Sequence, residues 1–229
     1  MPARLLMDFI SGAWAVMKKD ILEEYRARYA FNTTLLFCVT CLVMVSYSLG
    51  GAVTDPMLQS AMLWVILFFS AMTGLSRAFI KEEDKGTMNT LRLCCRADHV
   101  FYGKTAMNFL MMSSVIVIVA PLFIILLNVN MRHVGYFALT TALATVGLSA
   151  VSALLSAIVA QARARGMLFP VLAFPALMPV FLTAVRATGM SLAEAAPWTG
   201  GGELVFLAAY AVAATVGGGF LFEYVFSEQ

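Results

Sequence analysis

The chain has 229 residues, of which 61% are hydrophobic and 12% charged, with a net charge of +2 and a mean hydropathy of +0.86. These values exclude an ordinary water-soluble domain, because one folded core cannot hide so much apolar surface. The net charge gives no indication of nucleic-acid binding. At this length there is also no room for a second, soluble domain.

The first 30 residues are predicted to form an amphipathic helix, and this segment, 1–30, is expected at the cytoplasmic surface of the membrane. Its apolar residues recur near the helical period, and charged residues fill much of the rest. Trp14 and Tyr25 are suited to anchor such a helix at the lipid–water interface. The other interpretation is a solvated tail. In either case the segment lacks the cleavage site of a secretory signal and is expected to remain in the mature protein.

Six apolar stretches are long enough to cross a bilayer, because a hydrocarbon core of about 30 Å requires roughly 20 helical residues. They cover residues 31–49, 57–75, 105–127, 134–160, 167–185 and 204–222. Each must be a helix, since backbone groups cannot remain unpaired in lipid and no alternation typical of barrel strands is present. The sequence therefore predicts an all-α polytopic membrane protein in which residues 31–229 form one six-helix transmembrane domain.

The distribution of basic residues predicts the orientation of these helices. Thirteen of the fifteen Lys and Arg residues lie on one side, and only Arg132 and Arg186 lie on the other. The positive-inside rule assigns the basic side to the cytoplasm. We therefore expect a multi-pass protein of the bacterial inner membrane with both termini in the cytoplasm.

A polar segment, residues 77–104, separates spans two and three and carries six Lys/Arg against four Asp/Glu. Gly86 permits a turn, and Thr87 can cap a short helix that follows it. Met88, Leu91 and Cys95 then fall on one face of that helix. We expect this apolar face to sit in a groove of a partner protein. The alternative is a solvated connector.

Span five contains three prolines, Pro170, Pro175 and Pro179. Each removes a helix hydrogen bond, so the span is expected to be kinked or broken and to line a pathway or a dimer interface. The alternative is a kink that only shapes packing. Gly217, Gly218 and Gly219 in span six indicate close helix contacts.

Few residues offer chemistry. His133 beside Arg132 is a candidate haem contact on the far side of the membrane, and the alternative is a hydrated loop. Gly103 and Lys104 resemble the end of a phosphate-binding loop, but the required upstream glycine is absent. No catalytic set and no metal-spaced cluster is present, so no enzyme activity, bound metal or nucleotide site is predicted. The roles of the four cysteines stay undetermined; they are Cys38, Cys41, Cys94 and Cys95.

The polar segment also resembles the coupling segment of type-2 ABC exporter permeases. The matching residues are Arg77, Phe79, Glu83, Gly86, Thr87 and Leu91, followed by Gly103-Lys104. The chain as a whole is similar to the CcmB family of haem exporter permeases in cytochrome c maturation. The similarity is carried by WVILFFSAMTGLSRAFIKEEDKGTMNTLRL across span two and the polar segment, and by VLAFPALMPVFLTA in span five.

The resemblance implies a permease subunit without catalysis of its own, paired with a cytoplasmic ABC ATPase that binds the ATP. It also implies a second permease copy, further membrane subunits of the maturation complex and, indirectly, a periplasmic haem chaperone. The residues expected to contact the ATPase are Glu83, Gly86, Thr87, Met88 and Leu91. Haem is the implied substrate. ATP hydrolysis would drive either haem export or release of the haem-loaded chaperone, and the lack of a convincing haem ligand in the spans favours release.

Two other functions remain compatible with the residues. A type-2 permease that exports a lipid, glycan or drug would share the fold and the coupling segment. A membrane assembly subunit outside the ABC class would need no ATPase, and purification of the chain with its partners would separate these alternatives.

Overall fold

The computed structural model describes residues 2–49, 55–160, 162, 165–193 and 201–227. Within that part of the chain every regular element is an α-helix. In chain order the helices are α1 Pro2–Ala27, α2 Tyr29–Leu49, α3 Pro56–Gly74, α4 Arg77–Asp84, α5 Met88–Cys94, α6 Ala97–Leu126, α7 Val134–Ala160, α8 Arg165–Leu192 and α9 Gly202–Ser227.

Six of these helices are long and apolar enough to cross a membrane, which confirms the predicted all-α polytopic fold. Helix α7 has the predicted bounds. Helix α6 begins at Ala97 rather than at residue 105, because Val100 and Phe101 are fully buried and hold its polar first turns on the bundle. Helix α8 continues to Leu192, beyond the predicted residue 185.

Helix α7 is the centre of the bundle and contacts α4, α6, α8 and α9. Its buried face is built from small residues, which allow close helix approach; they include Ala144, Gly147, Ala150, Ala153 and Ala157. Two glycines of α9 act similarly toward α6. A Cβ on Gly218 would lie 2.7 Å from the Phe101 ring, and one on Gly219 would lie 2.9 Å from the Tyr102 hydroxyl.

Helices α3 and α4 follow each other with a break of two residues, and α7 stabilises that break. The Ser156 hydroxyl donates to the carbonyl of Ser76 at 2.8 Å and accepts from the backbone N–H of Phe79 at 3.0 Å. It therefore pairs buried backbone groups that the interrupted helix leaves without partners. These two hydrogen bonds tie the junction of α3 and α4 to α7.

The charged segments gather at one end of the bundle, which we call the polar end. It comprises α1, α4, α5, the first turns of α6 and the last turns of α9. The Phe222 ring of α9 lies 5.3 Å from that of Phe79 in α4, and Arg92 of α5 lies over the ring of Phe226. Helices α1 and α9 both pack on α6. At the opposite end, the Trp64 indole donates to the Thr188 hydroxyl at 2.8 Å.

Arg28 forms the sharp junction between α1 and α2. Its φ of 50° lies in the left-handed region, which a side chain with a Cβ adopts only at a cost. The Glu24 carboxylate accepts from the N–H of Phe31 at 2.9 Å and caps the start of α2. This junction turns α1 back along α6. Trp14 and Tyr25 are exposed on α1, and the position of α1 at a membrane surface stays a prediction.

Candidate functional site

Four charged side chains meet in a cluster at the polar end, which we call the ion cluster: Lys19, Asp20, Glu82 and Lys104. All are buried except Lys19, which is half-buried. Lys104 is only 3% exposed, and its Nζ lies 2.9 Å from Asp20 Oδ2 and 2.8 Å from Glu82 Oε1. The Lys19 ammonium contacts the same Glu82 oxygen. The ion cluster therefore joins α1, α4 and α6 through two positive and two negative groups.

Gly103 brings α1 close enough to α6 for the ion cluster to form. A Cβ at this position would lie 2.8 Å from the Ala13 carbonyl oxygen and 2.8 Å from the Val16 Cβ. Because such distances are shorter than van der Waals contact, a side chain at residue 103 would push α1 outward. The neighbouring Lys104 pairs with Asp20 close to this crossing of α1 and α6.

Burial and pairing act in opposite directions on the carboxylates of α1. Burial raises the pKa of Asp20 above its ordinary value, and the adjacent Lys104 only partly opposes that effect. Burial alone would also raise the pKa of Glu23. There, however, the hydrogen bond from Lys85 and the charges of Lys19 and Lys81 lower the pKa overall. Buried charges are costly unless paired, so α1 is tied to the cluster by groups that require one another.

Glu82 connects the ion cluster to the start of α5. Its Oε2 accepts from the Thr87 hydroxyl at 2.6 Å, and its carbonyl oxygen accepts from the Thr87 N–H at 3.0 Å. Gly86 closes this turn with a φ of +66°, a conformation that glycine adopts without penalty. The turn predicted at Gly86 is present. Thr87 precedes α5 as predicted, but its hydroxyl bonds back to Glu82 rather than capping the helix.

The prediction that Met88 and Leu91 point toward a partner is wrong. Met88 is 6% exposed and Leu91 8% exposed, and both pack in a cluster with Phe79, Phe101 and other residues of this chain. The physical reason is that α5 lies on the bundle and buries its apolar face there, as an amphipathic helix does whenever a core surface is available. A role of these two residues in coupling stays a prediction, and it would be indirect.

The opposite face of α5 is open. Leu93 is 88% exposed, and Thr90 and Cys94 are exposed beside it. Gly86 is exposed and Glu83 half-buried at the turn that precedes this face. Leu93 is therefore the large apolar side chain that this open face presents.

Glu82 was not among the residues singled out by the sequence, and Lys104 was singled out only as part of the Gly103-Lys104 pair, with no predicted partner. A lysine that follows a glycine at the start of a long apolar helix is the signal that could have found the ion cluster. The other two members of the ion cluster, Lys19 and Asp20, lie in the N-terminal helix, whose charges the sequence analysis assigned to the membrane surface. No spacing rule connects that helix to the polar segment.

The three prolines of span five do not break α8, which runs continuously from Arg165 to Leu192. Pro170, Pro175 and Pro179 are all exposed on the outside of the single chain. Pro175 and Pro179 therefore line no internal pathway in the described structure, whereas Pro170 borders a cavity. Their place at an interface with a second copy stays a prediction.

His133 and Arg132 lie at the end opposite the ion cluster. The backbone N–H of His133 donates to the backbone carbonyl of Ser191 at 3.1 Å, and this bond joins the start of α7 to α8. The Nε2 atom of His133 is enclosed by the protein and has no hydrogen-bond partner among the described residues. A haem iron could not reach that nitrogen without a local rearrangement, so the structure gives this candidate contact no support, and it stays a prediction.

A cavity of about 800 Å³ opens at the polar end beside the ion cluster. Its wall is shared by the α1–α2 junction, the end of α3, α4 and the first half of α6, and it includes Asp20 and Lys104. In the described part of the chain, no group of three or more His, Cys, Asp or Glu residues could hold a metal ion.

Comparisons with known proteins agree on one family. The family model described as CcmB protein matches residues 11–224. The chain is 24% identical over 182 residues to a Heme exporter protein B of Bradyrhizobium diazoefficiens, an alignment that covers 76% of this chain and 79% of the relative. It is 23% identical over 171 residues to a Heme exporter protein B of Rhodobacter capsulatus, covering 73% of this chain and 78% of that one.

Proposed function

Because the chain belongs to the CcmB protein family, we propose that it is the membrane permease subunit of a haem-exporting ABC transporter. Both relatives carry the name Heme exporter protein B, and the six apolar helices suit a multi-pass subunit. The ATP is bound and hydrolysed on a separate chain. The single observation that carries the proposal is the family match over residues 11–224.

In this proposal the polar end faces the cytoplasm, and the ATPase docks on the open face of α5. The positive-inside rule supports the orientation, since the ion cluster and most basic residues lie at that end. Leu93 supplies the apolar contact, and the charges around it set the orientation of the partner. Leu93 lies on a short helix whose other face is packed against the bundle, so a partner would contact a surface that does not move independently of the spans.

Movement of α5 would reach the spans through the ion cluster. A shift of Thr87 displaces Glu82 through their 2.6 Å hydrogen bond, and Glu82 is held to Lys104 of α6. Helix α4 continues into α3 across the break that Ser156 stabilises. ATP binding elsewhere can bias two arrangements of the bundle only if the partner contacts them differently, and this chain of contacts is the route by which such a difference would reach the spans.

ATP hydrolysis by the partner would drive haem transport in one of two ways. Haem can pass through this subunit, or ATP hydrolysis can release the haem-loaded periplasmic chaperone from a neighbouring membrane subunit. A second permease copy would be joined through the exposed α8 face that carries Pro175 and Pro179. The cavity beside the ion cluster favours passage of haem through this subunit.

Recovery of the ATPase with the tagged permease tests docking at α5. Leu93→Glu is expected to abolish recovery in mild detergent, because a carboxylate would be buried without a partner at the interface. Lys18→Gln is the matched control, since it changes the net charge by the same amount on the exposed side of α1. Undiminished recovery with Leu93→Glu would refute docking at this face. Absence of any ATPase with the wild-type chain would favour an assembly subunit outside the ABC class.

A further inference from the structure

The cavity at the polar end has the size of a ligand site. Its volume of about 800 Å³ falls within the roughly 300–1,000 Å³ typical of small-molecule and cofactor sites. It extends from the charged segment toward the interior of the bundle, because its wall runs along α6 from Lys104 to Met111.

The inner part of the cavity is apolar and rich in thioethers. Met72, Met107 and Met111 line it, and Pro170 borders it from α8. The terminal methyl of Met111 lies 3.4 Å from where a Cβ on Gly74 would be, so this side chain packs against α3. Methionine adapts its shape to flat, polarizable ligands and is also a ligand for haem iron.

The outer part of the cavity is charged, and most of its charges are already engaged. Lys81 and Lys85 lie 3.3 and 3.0 Å from a Glu23 oxygen. The acidic groups of the wall also have partners: Asp20 pairs with Lys104, Glu24 caps the N–H of Phe31, and Asp84 makes a contact of its own.

Arg77 is the cation of this wall that remains available. Its guanidinium lies over the Tyr29 ring at 5.0 Å, and it makes no ion pair within the described residues. The guanidinium is planar by resonance and its N–H groups match the geometry of a carboxylate, while stacking on the ring orients it. The cavity thus combines an apolar thioether interior with an ordered cation at its mouth.

We propose that this cavity takes up haem at the polar end, with the porphyrin among the methionines and a propionate on Arg77. Met107 or Met111 supplies a thioether ligand to the iron. This inference rests on the proposed function and names the place where the substrate enters this subunit. Because Asp20 and Lys104 line the same cavity, bound haem would touch the ion cluster through which movement of α5 arrives.

Titration of haemin into the full chain in lipid nanodiscs tests the site, with the Soret absorbance and the thioether-ligand spectrum as readouts. Met107→Leu combined with Met111→Leu keeps the wall apolar and is expected to remove the thioether signature. Arg77→Gln is expected to weaken binding about tenfold, the value of one charge-assisted hydrogen bond. Met44→Leu, an exposed methionine on α2 outside the cavity, is the control and should bind like the wild-type chain.

A second set of measurements keeps the proposal falsifiable. Thr73→Trp places an indole in the cavity without touching its methionines or arginine, and it should also weaken haemin binding. Unchanged binding in all three cavity variants would overturn the assignment, as would loss of binding on His133→Ala alone. Palmitate that displaces haemin only at large excess is the supporting result, whereas palmitate that competes equally would assign the cavity to a lipid carboxylate.

Failure of this inference is separable from failure of the proposed function. The cavity variants are expected to recover the ATPase like the wild-type chain, because none of them lies on the open face of α5. Loss of the haemin site with normal ATPase recovery would overturn the cavity assignment alone. Normal haemin binding together with undiminished ATPase recovery for Leu93→Glu would overturn the docking proposal alone.

Discussion

Lys104 Nζ and Glu82 Oε1 lie 2.8 Å apart in the interior of the polar end, joining α6 to α4. Neither side chain is more than a few per cent exposed, so their charges are compensated by each other and by Lys19 and Asp20. Such a cluster costs free energy to desolvate and regains it through close pairing. The consequence is that loss of Lys104 alone leaves an uncompensated buried charge.

Lys104→Met is therefore expected to destabilise the chain by about 3–5 kcal/mol, because it leaves Glu82 and Asp20 with one cation between them. The measurement is thermal unfolding of the purified protein in detergent. Combining Lys104→Met with Glu82→Gln should recover part of the loss. Lys18→Met, at an exposed position on α1, should change stability by no more than about 0.5 kcal/mol. An equally small effect at Lys104 would contradict the cluster.

Gly103→Ala is expected to cost about 1–3 kcal/mol, because the added Cβ meets the Ala13 carbonyl oxygen and the Val16 side chain and must displace α1. The same unfolding assay measures it, and limited proteolysis of α1 reports the displacement. Gly135→Ala is the control, since a Cβ there has no neighbour within 4 Å. If both variants behave alike, α1 does not pack on α6 as described.

Ser156→Ala is expected to cost about 1–3 kcal/mol, since it leaves the Ser76 carbonyl and the Phe79 N–H buried without their partner. If the proposed coupling holds, stimulation of the partner ATPase by substrate should also weaken, because α4 would no longer be tied to α7 next to α3. Ser114→Ala removes only a bond to Leu110 within its own helix and serves as the control. Normal stability of the Ser156 variant would show that the break needs no support.

Glu23 should make stability depend on pH. Its pKa in the folded chain is lowered from 4.5, so its ion pairs contribute fully above that pH and are lost as the pH falls through the folded-state value. Glu23→Gln should therefore reduce stability by about 0.5–1 kcal/mol at pH 7, and the difference from the wild-type chain should shrink below pH 4.5. Unfolding midpoints measured from pH 7 down to about pH 3 give the test, because the folded-state pKa lies below 4.5. A difference that grows on acidification would reverse the assigned sign.

Much of the fold was predictable from the sequence, because each apolar span is a local property. Helix α7 occupies the predicted residues, and all six spans are present. The turn at Gly86 was equally readable, since its cause is the conformational freedom of one residue. The extension of α6 to Ala97 was not, because it depends on the burial of Phe101 against α9.

The sequence alone determined that this protein lies in a membrane, how many spans it has and, through the resemblance, its family. Only the tertiary structure decided which face of α5 is free and which charges meet. Periodicity assigns Met88 and Leu91 to one helix face, but not what covers that face. Transfer of a helix into lipid depends on its own residues, whereas a contact such as Lys19–Glu82 depends on how distant segments pack, which no single segment encodes.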